Sequence, residues 1–142
     1  MDDVQYKKYR NNYKSKVLKM LIELEDIWKN TIFQVFSAIK RMPNNYEKIY
    51  LAISEGEIIG FVYGYILQNG VLLPQFLYVN EAYRNKGIAS ELLKRLESDS
   101  NCVCSVIWYH KSLSDFYKKQ NYDAGGNLEV ALKELQPPKE VL

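Results

Sequence analysis

The segment Gln75–Glu97, QFLYVNEAYRNKGIASELLKRLE, decides the fold predicted for this chain. Its first five residues include aromatic and β-branched side chains that favour a strand, and residues 80–86 break that pattern. From Gly87 onward, apolar residues recur at helical spacing, at Ile88, Leu92, Leu93 and Leu96. The segment therefore predicts a strand that enters an amphipathic helix through a short basic loop.

The loop and the first turn of this helix form a candidate phosphate-binding site. The first turn of a helix leaves N–H groups unpaired and carries a partial positive charge, which stabilises a phosphate placed there. Gly87 lets a phosphate approach the main chain, and Arg84 and Lys86 add positive charge. The alternative is an ordinary crossover with a basic loop. The predicted phosphate cradle consists of Arg84, Asn85, Lys86, Gly87, Ile88, Ala89 and Ser90.

The same loop resembles the acyl-CoA-binding motif of the GCN5-related N-acetyltransferases, the GNAT family. That motif is Arg or Gln, two residues, Gly, one residue, then Gly or Ala, and Arg84, Gly87 and Ala89 fill its positions. The strand end before the loop, Tyr83 and the leucine-rich helix behind it also fit the family pattern. The resemblance implies that acetyl-CoA is the co-substrate and that the cradle binds it.

Length and composition limit the other possibilities. The chain has 142 residues, of which 47% are hydrophobic and 25% charged, so one globular domain spanning 1–142 is expected. The formal net charge of +2 is too small to argue for nucleic acid. The first twenty residues are basic, but acids follow and no stacking motif accompanies them, so a nucleic-acid-binding protein is the weakest alternative.

Two cysteines, Cys102 and Cys104, lie two residues apart in a predicted strand and are expected on the same side of it. Cysteines this close in one strand rarely form a disulfide, and no second Cys or His pair completes a zinc site. We expect reduced core residues in a cytoplasmic protein, and no metal. Neither a secretory signal nor an apolar run of membrane-spanning length is visible, so no membrane association is expected.

The residues before the motif predict a strand, two helices and three consecutive antiparallel strands. Gly60 and Gly64 inside the middle strand of the three indicate a bulge or a close contact with a helix. The second helix carries a stripe of Phe33, Phe36 and Ile39, for which core packing is predicted over a role in a substrate pocket. The predicted ranges are strand 4–9, helices 12–29 and 31–41, and strands 48–53, 57–67 and 71–79.

After the motif helix, residues 102–108 form a near-continuous apolar strand of the kind that is buried on both faces. Strand, helix and strand make a βαβ unit, so its two strands should be parallel. Ser112 or Ser114 can cap a fourth helix. Residues 128–132 are predicted to form a last strand. The predicted fold class is α/β (α+β), with a mixed, mostly antiparallel sheet flanked by helices; the element order matches the GNAT-like acyl-CoA N-acyltransferase fold.

A second motif, Phe116-Tyr117-Lys118-Lys119-Gln120-Asn121-Tyr122, resembles the family's Phe-Tyr-Glu-Lys-x-Gly-Phe segment. Asn121 replaces the glycine and tolerates the left-handed conformation that a helix end requires. The resemblance implies that Tyr117 contacts the cofactor near its sulfur and acts as a general acid, protonating the departing thiolate; simple packing is the alternative. His110, the sole histidine, falls at a cofactor-contacting position, with catalysis or a plain surface role as alternatives.

The resemblance also implies a mechanism of direct attack, in which an amine and acetyl-CoA bind together. In the family a backbone N–H at this strand end stabilises the oxyanion, which assigns the role to Val79. The pantetheine arm is expected to pair with Leu77, Tyr78 and Val79 in the gap between the two parallel strands. The general base has no assignment because Gln75 stands where many relatives carry an acid. The remaining options are Glu81, Glu25, Asp26 or a water chain.

The resemblance implies that the acceptor is an amine of a small molecule or a protein. In the family it is selected by the loop between the first two helices and by the last hairpin, here residues 29–31 and 123–127. The short, glycine-rich hairpin suggests an open site for a peptide or a polyamine. A non-catalytic acyl-CoA-binding sensor or scaffold is the alternative function. An exposed strand edge would permit a homodimer, but no pattern demands one over a monomer.

Overall fold

A computed structural model describes residues 3–28, 32–68, 70–109, 111–124 and 130–135. Within these residues, four helices and one seven-stranded sheet are present. In chain order the elements are β1 (Val4–Lys8), α1 (Lys14–Trp28), α2 (Phe33–Arg41), β2 (Glu47–Ser54), β3 (Glu57–Ile66), β4 (Val71–Val79), α3 (Ile88–Ser100), β5 (Cys104–Trp108), α4 (Ser114–Lys119), β6 (Asp123–Ala124) and β7 (Val130–Glu134).

The strands are arranged in the order β1-β2-β3-β4-β5-β7-β6. Every neighbouring pair is antiparallel except β4 and β5, which are parallel and connected through α3. This confirms the predicted fold class and its one parallel βαβ unit. The recorded register between β4 and β5 consists of Val71 with Cys104 and Leu72 with Ser105, at the start of both strands. Beyond Leu72 the two strands therefore diverge, and the sheet opens between them.

Helices cover both faces of the sheet, α1 and α2 on one and α3 on the other. The two interior glycines of β3 sit at shifts in strand register and beneath close neighbours. A Cβ atom at Gly60 would lie 2.7 Å from the Tyr78 carbonyl oxygen, and one at Gly64 would lie 2.8 Å from Leu96 Cδ2. The prediction of a bulge or close helix contact is confirmed, since both devices occur together.

The core prediction for the second helix is only partly right. Ile39 is buried and Phe36 packs against the core, but the side chain of Phe33 is 70% exposed. Phe33 is the first residue of α2, so it lies at the end of the packed interface. None of the helices in the described part of the chain combines the length and apolarity needed to cross a membrane.

The second half of the chain corrects three predictions. Cys102 is buried but precedes β5, so the expectation that alternate strand residues share a side does not apply to it. Neither Cys102 nor Cys104 forms a disulfide. Strand β5 is not buried on both faces: Ile107 packs with Leu93 and Tyr122 on one face, while alternate residues are half-buried. The residue that caps α4 is Leu113, without a side-chain hydrogen bond, because a 3₁₀ turn leads directly into the helix.

The remaining differences concern the last strands. Of the predicted strand 128–132, residues 128 and 129 lie outside the described residues; β7 continues to Glu134, two residues beyond the predicted end, and Val130–Glu134 pairs with β5. The two-residue strand β6 was not predicted, and it pairs with β7. The two described residues of β6 are too few to show a periodicity, so the strand was not predicted from them.

An ion pair between the exposed Arg41 and the buried Glu47 ties α2 to the start of β2. Glu47 accepts two hydrogen bonds from the Arg41 guanidinium, at 2.7 and 3.0 Å, one from the Tyr63 hydroxyl at 2.5 Å and one from the Asn44 amide at 3.1 Å. Burial raises the pKa of Glu47, but the hydrogen bonds from Arg41 and Tyr63 outweigh it, and the pKa lies below its ordinary value of 4.5. The charged form of Glu47 therefore stabilises the fold.

We expect Glu47→Gln to lower the free energy of unfolding at neutral pH by about 2 kcal/mol, because charged hydrogen bonds are lost in a buried site. Since the folded-state pKa is depressed, the stabilisation is complete above about pH 4.5 and is lost as the pH falls through the folded pKa. Urea unfolding across this range should show a shallower pH dependence for the variant than for the parent. Glu91→Gln, which breaks an exposed pair with Arg95, is the control. If the free energy of unfolding of Glu47→Gln fell with pH as steeply as that of the parent, charged Glu47 would not be the stabilising group.

Candidate functional site

A cleft of about 630 Å³ lies between the end of β4, the start of α3 and helix α4. Lys86 is not part of the recorded lining; its ammonium lies 5.4 Å from the centroid of the Tyr83 ring. His110 lies outside the described residues. Of the predicted site residues, the cleft brings together Leu77, Tyr78, Val79, Arg84, Asn85, Gly87, Ile88, Ala89, Ser90 and Tyr117.

Four further lining residues were not predicted as site residues, namely Tyr83, Leu113, Phe116 and Gln120. Gln120 follows Tyr117 by three residues and so lies on the same side of the α4 terminus. That spacing is a signal that the sequence did contain. No helical spacing places Tyr83 or Leu113 at the cleft, because each lies in a 3₁₀ turn whose orientation depends on the neighbouring elements.

The loop that enters α3 presents its main chain to the cleft. Gly87 precedes the helix with φ +80°, and Asn85 also has positive φ, at +62°. A Cβ atom at Gly87 would have no heavy atom of the described chain within 4 Å. Backbone conformation, not crowding, therefore explains the glycine. The Arg84 Nε–H donates to the Val79 carbonyl at 2.9 Å, which fastens this loop to the end of β4.

Donor groups line the first turn of α3. Its first internal hydrogen bond runs from the Glu91 amide to the Gly87 carbonyl at 3.1 Å. The amides of Ile88, Ala89 and Ser90 therefore have no acceptor within the helix. Because the cleft adjoins this turn, an anion placed here would receive main-chain hydrogen bonds and the favourable end of the helix dipole.

The end of β4 directs backbone donors away from β3 and into the cleft. Asn80 donates its amide to the Ile59 carbonyl of β3 at 2.7 Å. Successive residues of a strand alternate in the direction of their N–H and C=O groups. Tyr78 therefore faces β3 as Asn80 does, and the N–H groups of Leu77 and Val79 face the opening towards β5. The bond from Arg84 to the Val79 carbonyl agrees with this orientation.

Tyr117 lies at the α4 side of the cleft within a cluster of aromatic rings. Its ring centroid is 5.2 Å from that of Tyr109, 4.9 Å from that of Phe116 and 5.8 Å from that of Tyr122. Burial raises the pKa of Tyr117 above its ordinary value of 10.0. The hydroxyl is therefore protonated at neutral pH and is suited to donating a proton rather than accepting one.

The cleft offers no general base among the residues that the structure describes, since none of its recorded lining residues is acidic. Gln75 is exposed at the shift in register between β3 and β4, and Glu81 is exposed at the start of a 3₁₀ turn. Glu25 and Asp26 belong to α1, but their side chains lie outside the described part, as do residues 29–31 and 125–129. The described residues contain no cluster of three His, Cys, Asp or Glu side chains that could hold a metal ion.

Comparison with known proteins agrees with this geometry. The sequence model of the acetyltransferase (GNAT) domain matches residues 45–124. No curated protein matches the sequence. Similar solved structures include the PaiA N-acetyltransferase from Thermoplasma acidophilum in complex with coenzyme A, with a TM-score of 0.74, 16% identity, and coverage of 93% of this chain and 99% of that one.

Two other structures share the fold at low identity. A GNAT-family acetyltransferase from Staphylococcus aureus Mu50 has a TM-score of 0.70 at 16% identity, over 94% of this chain and all of that one. An aminoglycoside 6′-N-acetyltransferase complexed with coenzyme A has a TM-score of 0.73 at 13% identity, over 96% of this chain and 99% of that one. Because the domain model also covers more than half of the sequence, the chain belongs to the GNAT acetyltransferase family.

Proposed function

We propose that this protein is an acyl-CoA-dependent N-acetyltransferase that transfers the acetyl group of acetyl-CoA to a primary amine within a ternary complex. One observation carries the proposal: in a chain of this family, a single cleft joins the open edge of β4, the first turn of α3 and the half-buried, hydroxyl-bearing residue Tyr117. An anion site, a row of backbone donors and a proton donor are the parts that this reaction requires.

The cleft fits acetyl-CoA in both charge and hydrogen bonding. The phosphate cradle offers the free amides of Ile88, Ala89 and Ser90 to the pyrophosphate, and Gly87 leaves room for its approach. The outward amides of Leu77 and Val79 are placed to pair with the amide groups of the pantetheine arm. Two of the similar structures contain coenzyme A, which is consistent with this use of the fold.

The chemistry proposed for the site is direct transfer. When bound, acetyl-CoA supplies the acetyl group as a thioester, and the amine nitrogen forms a bond to its carbonyl carbon as the C–S bond breaks. The Val79 N–H donates a hydrogen bond to the carbonyl oxygen as negative charge develops there. The Tyr117 hydroxyl donates its proton to the departing sulfur. The amine must be neutral to attack. After attack the nitrogen loses one proton to water, and Tyr117 recovers a proton from water once CoA has left.

A second function is favoured by one observation. The absence of an acidic residue from the recorded lining of the cleft, together with the exposed Gln75, fits a domain that binds an acyl-CoA without catalysing transfer. Such a domain would act as a sensor or a scaffold. The retained tyrosine at position 117 argues against it, because a binding module needs no proton donor.

We expect calorimetric titration with acetyl-CoA and then with CoA to show saturable binding of one ligand per chain. A panel of small amines and peptide amines, assayed by thiol release from acetyl-CoA, should then contain at least one acceptor. Binding without thiol release on any amine would favour the sensor or scaffold function. If the folded protein bound neither ligand, both functions would be wrong.

A further inference from the structure

We propose that Tyr122 is a positioning residue. The hydrogen bonds that its hydroxyl makes with Glu97 and Ser105 hold the Tyr117 ring in place at the cleft. The inference rests on the proposed function, in which Tyr117 donates a proton. Tyr122 does not line the cleft itself, so it acts through its neighbour.

Helix α4, which carries Tyr117, has little to hold it in place by itself. It is six residues long, contains no buried residue and lacks a side-chain N-cap. From residue 112 to residue 123, Tyr122 alone is buried, with 3% of its surface exposed. The Ser90 hydroxyl of α3 also donates to Gln120 Oε1 at 2.8 Å, but that bond is only partly buried, so Tyr122 is the buried anchor of this segment.

The anchor is a buried hydrogen-bond network that joins three other elements. The Tyr122 hydroxyl donates to Glu97 Oε2 of α3 at 2.7 Å and lies 2.7 Å from Ser105 Oγ of β5. Because its one proton goes to Glu97, the Tyr122 oxygen accepts from Ser105. Lys133 of β7 donates to the other Glu97 oxygen at 2.8 Å. A carboxylate that is only 8% exposed is thereby paired on both oxygens.

Two contacts transmit this anchoring to Tyr117. The Tyr122 amide donates to the Tyr117 carbonyl at 3.0 Å, across a turn in which Asn121 has φ +67° as predicted for this position. The two rings also meet edge to face, with their planes at 79°. A shift of Tyr122 would therefore move both the backbone and the ring of Tyr117.

The hydroxyl at position 122 distinguishes this chain from the family motif that it resembles, which ends in phenylalanine. A phenylalanine here would keep the ring contact with Tyr117 but leave Glu97 Oε2 and Ser105 without their shared partner. The network therefore adds an anchor that ring packing alone does not supply, and Tyr122→Phe removes this anchor selectively.

We expect Tyr122→Phe to lower kcat for an amine found by the thiol-release screen by about tenfold, because small displacements of a catalytic group are costly. The Kd for acetyl-CoA should stay within about twofold of the parent value. If Tyr122 acts through Tyr117, adding Tyr122→Phe to Tyr117→Phe should cause no further loss of kcat. An equal loss in both backgrounds, or no loss in the parent, would overturn the inference.

A second measurement does not depend on turnover. Tyrosine labelled with ¹³C at Cζ allows the alkaline titration of Tyr117 to be followed by NMR, with its signal assigned by its loss in Tyr117→Phe. In Tyr122→Phe the pKa of Tyr117 should fall towards its ordinary value, because a loosened ring is less buried. An unchanged titration would show that Tyr122 does not position the ring.

The matched control is Tyr63→Phe. Tyr63 also donates a buried hydroxyl to a carboxylate, that of Glu47, but it belongs to the core on the α1 and α2 side of the sheet. Its removal should lower stability while leaving the titration of Tyr117 unchanged. Should Tyr122→Phe not fold, Ser105→Ala removes one bond of the network and should give a smaller shift in the same direction. Parental kcat in Tyr117→Phe would instead refute the proposed acid role, and the NMR result would still decide whether Tyr122 holds the ring.

Discussion

Replacing Gly87 by glutamate is expected to abolish acetyl-CoA binding, with the Kd raised at least about 100-fold. The added carboxylate would stand at the helix terminus where the pyrophosphate is proposed to bind. Two like charges about 4 Å apart near a protein surface repel by roughly 4 kcal/mol, and each 1.4 kcal/mol is about tenfold in affinity. Calorimetric titration with acetyl-CoA measures the change directly.

Folding should survive the substitution. A Cβ atom at Gly87 meets open space within the described chain, although φ of +80° costs a residue with a side chain about 1 to 2 kcal/mol. Gly56→Glu is the matched control, because Gly56 has φ +78° in the turn between β2 and β3, away from the cleft. Gly87→Ala introduces the backbone strain without the charge, so comparing its Kd for acetyl-CoA with that of Gly87→Glu separates the two effects. Tight binding of acetyl-CoA by folded Gly87→Glu would show that the cradle is assigned wrongly.

Tyr117→Phe is expected to lower kcat by about 100-fold while the Kd for acetyl-CoA changes little. The phenylalanine ring keeps the contacts with Tyr109, Phe116 and Tyr122, so only the proton donor is lost. Steady-state thiol release and calorimetric binding, measured on the same preparation, separate the two quantities. Tyr109→Phe removes the neighbouring hydroxyl, and we expect it to keep parental kcat. Parental turnover by Tyr117→Phe would make Tyr117 a packing residue.

The pH dependence of kcat, compared between the parent and Tyr117→Phe, tests the same assignment. Because burial raises the pKa of Tyr117 above 10.0, its proton is retained through the neutral range and is lost only at more alkaline pH. The kcat of the parent should therefore show no decline from this group below about pH 10. A decline near neutrality that disappears in Tyr117→Phe would contradict the direction of the pKa shift.

The fold was largely predictable because its signals are local. Strand β4 spans the predicted range Val71–Val79, since a glycine turn and the basic loop mark its two ends. Asn121 adopts the left-handed conformation expected of a helix end. The opening between β4 and β5 was expected only through the family resemblance. Whether two strands diverge depends on what packs between them, and this cannot be predicted from any single segment of the sequence.

In the candidate site, the position of Gly87 and Arg84 at the cleft was predictable, because the motif specifies main-chain geometry there. The buried charges were not predictable. Glutamate usually occupies surface positions, and only the assembled fold shows that Glu97 and Glu47 are buried, each paired with a cation and a tyrosine hydroxyl. Glu97 lies one residue after Leu96, at the margin of the apolar stripe of α3. Which margin residues become enclosed is decided by distant segments, here β5 and β7.

The order of strands in the sheet has a consequence for how the chain folds as it leaves the ribosome. Strand β7 is made after β6 but lies between β5 and β6. Strand β5 exchanges five residue pairs with β7 and only two with β4, and the pairing of β6 is with β7. Lys133 of β7 also neutralises Glu97. Until β7 emerges, β5 lacks most of its backbone partners and a carboxylate on α3 lacks its cation. The half of the domain that carries Tyr117 is therefore completed late in synthesis, after all four strands β1–β4 have been made.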